Sequence, residues 1–343
     1  MIYLDNAAFS QSMRLGEVRS FANANSRSHA LGLEERRGVE DARNSIAELL
    51  GVHSSHVVFT SGATESADIL WRRLAVTWDI PLFEHKCLSS KIGISRDGER
   101  VTFPARVVTS MAVNNETGLM TDLASLPTLK GGVIVSDITQ GVSKVPCDLW
   151  SNADFCFGSA HKWHGPSGVG FIMAKNIDHW DLLVDHQNRG AQERGVRPGT
   201  LNGEAIKHAG EVAKWMLKNG DEYRAKLKHL QSTFENKIKS LTDCWIIGVD
   251  QERAPHITSL NLPGVDNEAL IAAVNDRLAI ASGSACTSEK VEPSHVLMAM
   301  FNDREIADTT VRISYGWFNT EAEVLEAAEI IAKAAETIRS FSL

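Results

Sequence analysis

Five cysteines, at positions 87, 147, 156, 244 and 286, are spread across 343 residues, and no two stand in a C-x-x-C pair. An odd, scattered set supports neither a disulfide framework nor a metal site, so no metal is expected and the chain reads as cytoplasmic. No apolar run approaches the ~18 residues of a membrane span. Asp5 interrupts MIYLDNAAF where a secretory segment would be apolar, which points to a soluble, unprocessed protein. Basic excess is missing as well: Lys+Arg 35 against Asp+Glu 43 gives a net charge of −8. Direct nucleic-acid binding is therefore not expected. Also absent are internal repeats and a G-x-G-x-x-G after the first strand, which removes the dinucleotide-binding reading.

What is present is enough apolar material, 43% of residues, for two lobes, since single cores stop growing near ~250–300 residues. HVVFT, ARVVTSMAV, GGVIVSD and ADFCFGS read as buried strands of the parallel type, continuous in polarity and separated by helical stretches. They predict an α/β fold with a doubly wound, mainly parallel sheet whose ligands gather at the strands' carboxyl ends. Tyr223, Leu227, Leu230, Phe234, Ile238 and Leu241 recur at helical spacing, marking a long helix into a second lobe. There CWIIGV, HITSLNL, LAIAS and VRISY read as strands, Asp266 opens a helix, and Thr320 with Glu323 forms a capping box for the last one. The expected division is a large domain over 1–220 and a smaller α+β domain over 221–343, with the first residues packing on the smaller one.

Three strand ends carry groups that make sense together. SGATES offers backbone N–H groups at a helix start, where an anion such as a phosphate binds. Asp137 follows GGVIVS, with Gln140 one turn on, and GSAHKWHGPSG puts His161 and Lys162 after a strand. Singly, these are an N-cap, a helix cap and a solvated lysine. Together they supply what pyridoxal phosphate (PLP) requires: a lysine for the Schiff base, a carboxylate against the pyridine nitrogen and a phosphate cup. Cys286 lies apart from them in SGSACTSEKVEPSHVL, among small residues suited to an exposed loop. It reads equally as a thiol that reaches a target and as a loop cysteine without a role.

The segments LDNAA, NSRSHALG, VVFTSGATES, EHK, VNNETG, SDITQ, SAHKWHGPSGVG, QERGVRPGT, SGSACTS with EPSHVL, and VRISYG resemble, in order, those of the NifS/IscS-like cysteine desulfurases. These belong to the class V aminotransferase group of fold-type I PLP enzymes. The resemblance implies that Lys162 carries the cofactor, Asp137 partners its pyridine nitrogen and Gln140 bonds its phenolic oxygen. It implies that His85 stacks on the ring, that Ala63, Thr64, Ser159 and His161 hold the phosphate, and that Thr200 reaches the phosphate of a neighbouring subunit in a homodimer. Asn115 and Arg312 would receive the amino-acid end of the substrate, L-cysteine. Cys286 becomes the nucleophile that takes the sulfur as a persulfide, with Lys162 or His85 as the base.

The segment from Ser282 to Pro293 resembles that of the long-loop members, and the resemblance implies a mobile carrier that delivers sulfur to an acceptor protein. The short tract between His85 and Asn115, together with Pro198, Ser167 and NANSRSH, departs from housekeeping members. It leans toward a dedicated pathway, DNA phosphorothioation or tRNA thiolation, over iron–sulfur assembly. Selenocysteine lyase or another class V reaction is the rival activity, and an inactive scaffold the rival without one.

Overall fold

The computed structural model describes residues 1–74, 77–90, 106–123, 132–184, 190–283 and 292–341. These divide into two compact units. The larger comprises 11–113 and 121–220; the smaller comprises 1–10, 114–120 and 221–343. Where the sequence suggested one cut near residue 220, the chain crosses three more times. Residues 114–120, the NNETGLM stretch, belong to the smaller unit.

In the larger unit a six-stranded sheet runs in the order Val57–Thr60, Gly170–Ala174, Phe155–Ser159, Val133–Asp137, Arg106–Met111, Thr77–Asp79. The last four pair in parallel, and Gly170–Ala174 is antiparallel to both of its neighbours. That strand, GFIMA, escaped the sequence reading because it directly follows a Gly/Pro turn. Every residue of the Val57–Thr60, Val133–Asp137, Phe155–Ser159 and Gly170–Ala174 strands is buried, as expected of a sheet covered on both faces. Val58, Val135, Phe155, Phe157 and Ile172 of these strands join Ala67 and Leu70 of the Ala63–Arg73 helix in one core cluster.

The smaller unit holds a four-stranded sheet in the order Ala281–Ser282, Thr310–Ser314, Ile257–Asn261, Trp245–Ile246, all antiparallel. LAIAS, read as one strand, is two: Leu278–Ala279 pairs in parallel with Ile2–Tyr3, and Ala281–Ser282 joins the sheet. The first residues of the chain are thereby built into this unit. The capping box forms as read, Thr320 N–H donating to Glu323 (2.9 Å) and Glu323 N–H to the Thr320 hydroxyl (3.2 Å). The long helix is Gly203–Leu241, starting well before the periodic run that revealed it. Of that run Tyr223, Leu227, Leu230, Phe234 and Ile238 are buried, while Leu241 is 43% exposed. Among the described residues no helix is long and apolar enough to cross a membrane.

Candidate active site

Strand polarity fixes where the chemistry collects. Thr60 and Ser159 both pair with Gly170, so three loops leave one edge of the larger unit's sheet side by side. The first enters the Ala63–Arg73 helix through Gly62, which makes no side-chain cap bond. A helix start without a side-chain cap keeps the positive end of its dipole available for an anion. Ala63 is half-buried there and Thr64 exposed. Gly170 comes so close that a Cβ on it would collide with the Gly62 backbone.

The second loop follows Phe155–Ser159 and carries Ala160, His161 and Lys162 in one 3-10 turn. Ser159 Oγ lies 2.8 Å from His161 Nδ1. Burial, then the neighbouring Lys162 and Lys144, press the His161 pKa down to about 4, so this imidazole is neutral at physiological pH. Beyond Lys162 the chain turns sharply at His164, whose φ is 68°. Its ring Nδ1 is 2.7 Å from the Gln11 carbonyl, and its own carbonyl accepts from Met13 N–H at 2.9 Å. A side chain at Gly165 would run into Ala160, which explains the glycine.

Asp137 ends the third strand, fully buried, with one oxygen accepting from Thr139 N–H at 2.8 Å. Burial pushes its pKa up, against the pull of His85, the Thr139 bonds and Lys162. Gln140 is buried on the same turn. His85 caps a short helix, its Nδ1 accepting from Cys87 N–H at 3.2 Å. In the neutral ring that leaves the proton on Nε2. A His85 nitrogen, the Cys87 sulfur and an Asp137 oxygen all lie within 4.8 Å of one another, a donor set that a borderline divalent cation could also use. Lys162, Asp137 and His85 are thus brought into mutual electrostatic range within one unit.

Two buried ionisable groups of this site went unnoticed in the sequence. Lys144, fully buried, donates from Nζ to the Lys162 carbonyl at 2.6 Å, and burial with Lys162 nearby lowers its pKa to about 7. A lysine between Val142 and Val145 was the available signal. Glu84 is 0% exposed, and burial with Asp137 beside it lifts its pKa from 4.5 to about 8. A carboxyl whose folded pKa is raised contributes stability that is complete below 4.5 and lost as pH rises through about 8. Urea unfolding should therefore show stability falling by up to ~1.4 kcal/mol per pH unit across that window from this group. Glu84→Gln should remove that component of the slope; an unchanged slope would mean that Glu84 ionises normally.

The remaining candidates lie elsewhere. In the smaller unit Arg312, 4% exposed, donates from Nη1 to the Asn115 carbonyl (2.9 Å) and from Nη2 to Asp5 (2.8 Å). Its fork, expected to face a substrate carboxylate, is held by the chain itself. Its buried Nε has no hydrogen-bond partner among the described residues. Thr200 is exposed, with Asn23 Nδ2 3.5 Å from its Oγ1. Cys286 lies outside the described residues. Of the other cysteines, Cys87 sits beside Asp137 while also packing on the core, a placement its position in EHKCLSS did not reveal.

The donor set suits PLP: an amine for its aldehyde, a buried carboxylate in need of a cationic partner such as a pyridinium N–H, and a helix start for its phosphate. Fold and site define a PLP-dependent enzyme of fold type I. The aminotransferase class-V family model matches residues 2–80 and 90–326, so the chain belongs to that family. It is 33% identical over 355 residues to cysteine desulfurase IscS of Rickettsia bellii, covering 94% of this chain and 86% of the relative. A NifS-like protein from Rickettsia africae superposes with a TM-score of 0.81 at 24% identity, covering 99% of both chains. DndA from Streptomyces lividans does so with a TM-score of 0.67 at 30% identity, covering 86% of this chain and 92% of that one. The protein is a NifS/IscS-like, PLP-dependent cysteine desulfurase.

Proposed function

We propose that the residues above convert L-cysteine to L-alanine, leave the sulfur as a persulfide on Cys286, and pass it to an acceptor protein. The observation that carries this reading is Lys162 and buried Asp137 at adjacent strand ends, in a chain 33% identical to a cysteine desulfurase. When bound, PLP supplies an electron sink for the substrate's Cα–H and carbon–sulfur bonds. Asp137 holds the ring nitrogen's proton, and the start of the Ala63–Arg73 helix, with Thr64, Ser159 and neutral His161, holds the phosphate.

Arg312, oriented by Asp5 and the Asn115 carbonyl, offers Nε to the substrate carboxylate. Lys162 moves the Cα proton. His85, with its proton on Nε2, serves better as a donor and ring partner than as the base. The Cys286 thiolate attacks the substrate sulfur, so that an S–S bond forms as the carbon–sulfur bond breaks. The released electron pair stays with the carbon skeleton, which takes up a proton and leaves as alanine.

A homodimer is part of the proposal, exposed Thr200 being offered to the phosphate of a second copy. The departures around the His85–Asn115 tract favour a dedicated acceptor, as in DNA phosphorothioation or tRNA thiolation. Incubation with L-cysteine and a thiol reductant should yield alanine and sulfide in equal amounts. Turnover of L-selenocysteine with none of L-cysteine would instead make the protein a selenocysteine lyase, and turnover of neither would end the proposal.

A further inference from the structure

The VNNETG turn ties together groups that the proposed chemistry uses separately. Asn114 Oδ1 accepts from the N–H groups of Glu116 and Thr117 at 2.9 Å each and from the Thr117 hydroxyl at 3.1 Å. Gly118, at φ 74°, closes the turn with its N–H on the Asn114 carbonyl (2.9 Å). A side chain there would press on Ile257. The turn thus fixes Asn115 and Glu116 in opposite employments. Asn115 gives its carbonyl to Arg312.

Glu116, only 4% exposed, accepts from the hydroxyl of Ser294, itself 3% exposed. Ser294 in turn caps the His295–Phe301 helix, accepting from Leu297 N–H at 3.1 Å. On the other side Glu116 lies against Gly283: a Cβ there would overlap its Oε2 and come within 3.0 Å of Ser294 Cβ. Gly283 directly follows the strand Ala281–Ser282, in which Ala281 pairs with Arg312. The segment carrying Cys286 begins after Gly283 and ends at Ser294. Both of its feet therefore meet on one buried carboxylate.

We infer that Glu116 is a positioning residue for sulfur transfer. It joins the two ends of the Cys286 segment and, through Asn115 next to it, holds them in register with Arg312. The bond from Ser294 and the close packing of Gly283 hold these two described residues against one carboxylate. Gly283 is glycine because the carboxylate occupies the place of its side chain.

The inference rests on the desulfurase reading, and the test keeps the two apart. In full-length holoenzyme, Glu116→Ala should slow single-turnover persulfide formation on Cys286 by about ten- to a hundredfold, the scale of a misplaced reacting group. L-cysteine binding, followed by the absorbance of the bound cofactor, should stay within about twofold. Hydrogen exchange across residues 292–301 should quicken. Glu116→Gln, whose amide oxygen still accepts from Ser294, should keep all three properties, and Glu116→Ala with Ser294→Ala should be no slower than Glu116→Ala alone. Unchanged persulfide formation in Glu116→Ala would overturn the inference, as would its loss in step with L-cysteine binding. If the wild type forms no persulfide, the desulfurase reading fails, and hydrogen exchange still decides whether Glu116 anchors the segment.

Discussion

Cys286→Ser protein should remain folded and yellow and bind L-cysteine as the wild type does, while alanine production falls by about 10³-fold or more, the scale on which removal of a nucleophile acts. The expectation follows from a division of labour. In the proposed site cofactor anchoring falls to Lys162 and charge balance to Asp137, both held by the larger unit. Cys286 is proposed to contribute only the attacking sulfur, and a serine oxygen cannot form a persulfide. Alanine measured by amino-acid analysis, beside cofactor content and the L-cysteine-induced absorbance change, separates the three roles. Near-normal turnover would return Cys286 to a loop cysteine without a role. Because Cys87 is the described thiol placed beside Asp137 and His85, Cys87→Ala is the informative companion, and it should leave persulfide on Cys286.

Asp137→Asn should lower kcat by about 10²–10³-fold, the loss seen when a preorganised electrostatic group is removed from a buried site. KM should change far less, since substrate binding is assigned to Arg312. The same change should stabilise the cofactor-free protein at neutral pH. Burial raises the Asp137 pKa above its ordinary value, so its contribution to stability is present at low pH and lost as pH climbs through the folded value. Loss of activity paired with gain of apo stability identifies a group kept for function at the expense of folding. A variant with wild-type kcat would refute the assignment of Asp137 to the ring nitrogen.

The sheet was legible because Val133–Asp137 and Phe155–Ser159 are unbroken apolar runs ending in polar groups, and a period that simple survives tertiary packing. Asp137 and Lys162 were legible because each stands directly after such a run. Gly170–Ala174 was not, since an antiparallel strand entering from a turn has no helix before it to announce it. Glu84 and Lys144 were missed for another reason: burial of a charged side chain is decided by what packs over it, and nothing local marks it except apolar neighbours. The crossing of 114–120 into the smaller unit is likewise a property of long-range contacts, Leu119 bridging to Arg253, which no window of sequence contains.

The contact between Gly62 and Gly170 bears on how this enzyme can be altered. The turn proposed to hold the cofactor's phosphate is shaped by main chain against main chain, with no room for a side chain at Gly170, so its curvature is not encoded in anything that substitution can adjust. A library randomised at Gly62, Gly165 and Gly170 should return almost only glycine at 165 and 170. One randomised at Thr64 and His161, which are exposed and half-buried, should return diversity. Recruitment of this scaffold to a differently sized anion must then proceed by exchanging the whole loop, a step of insertion or deletion that point mutation does not reach.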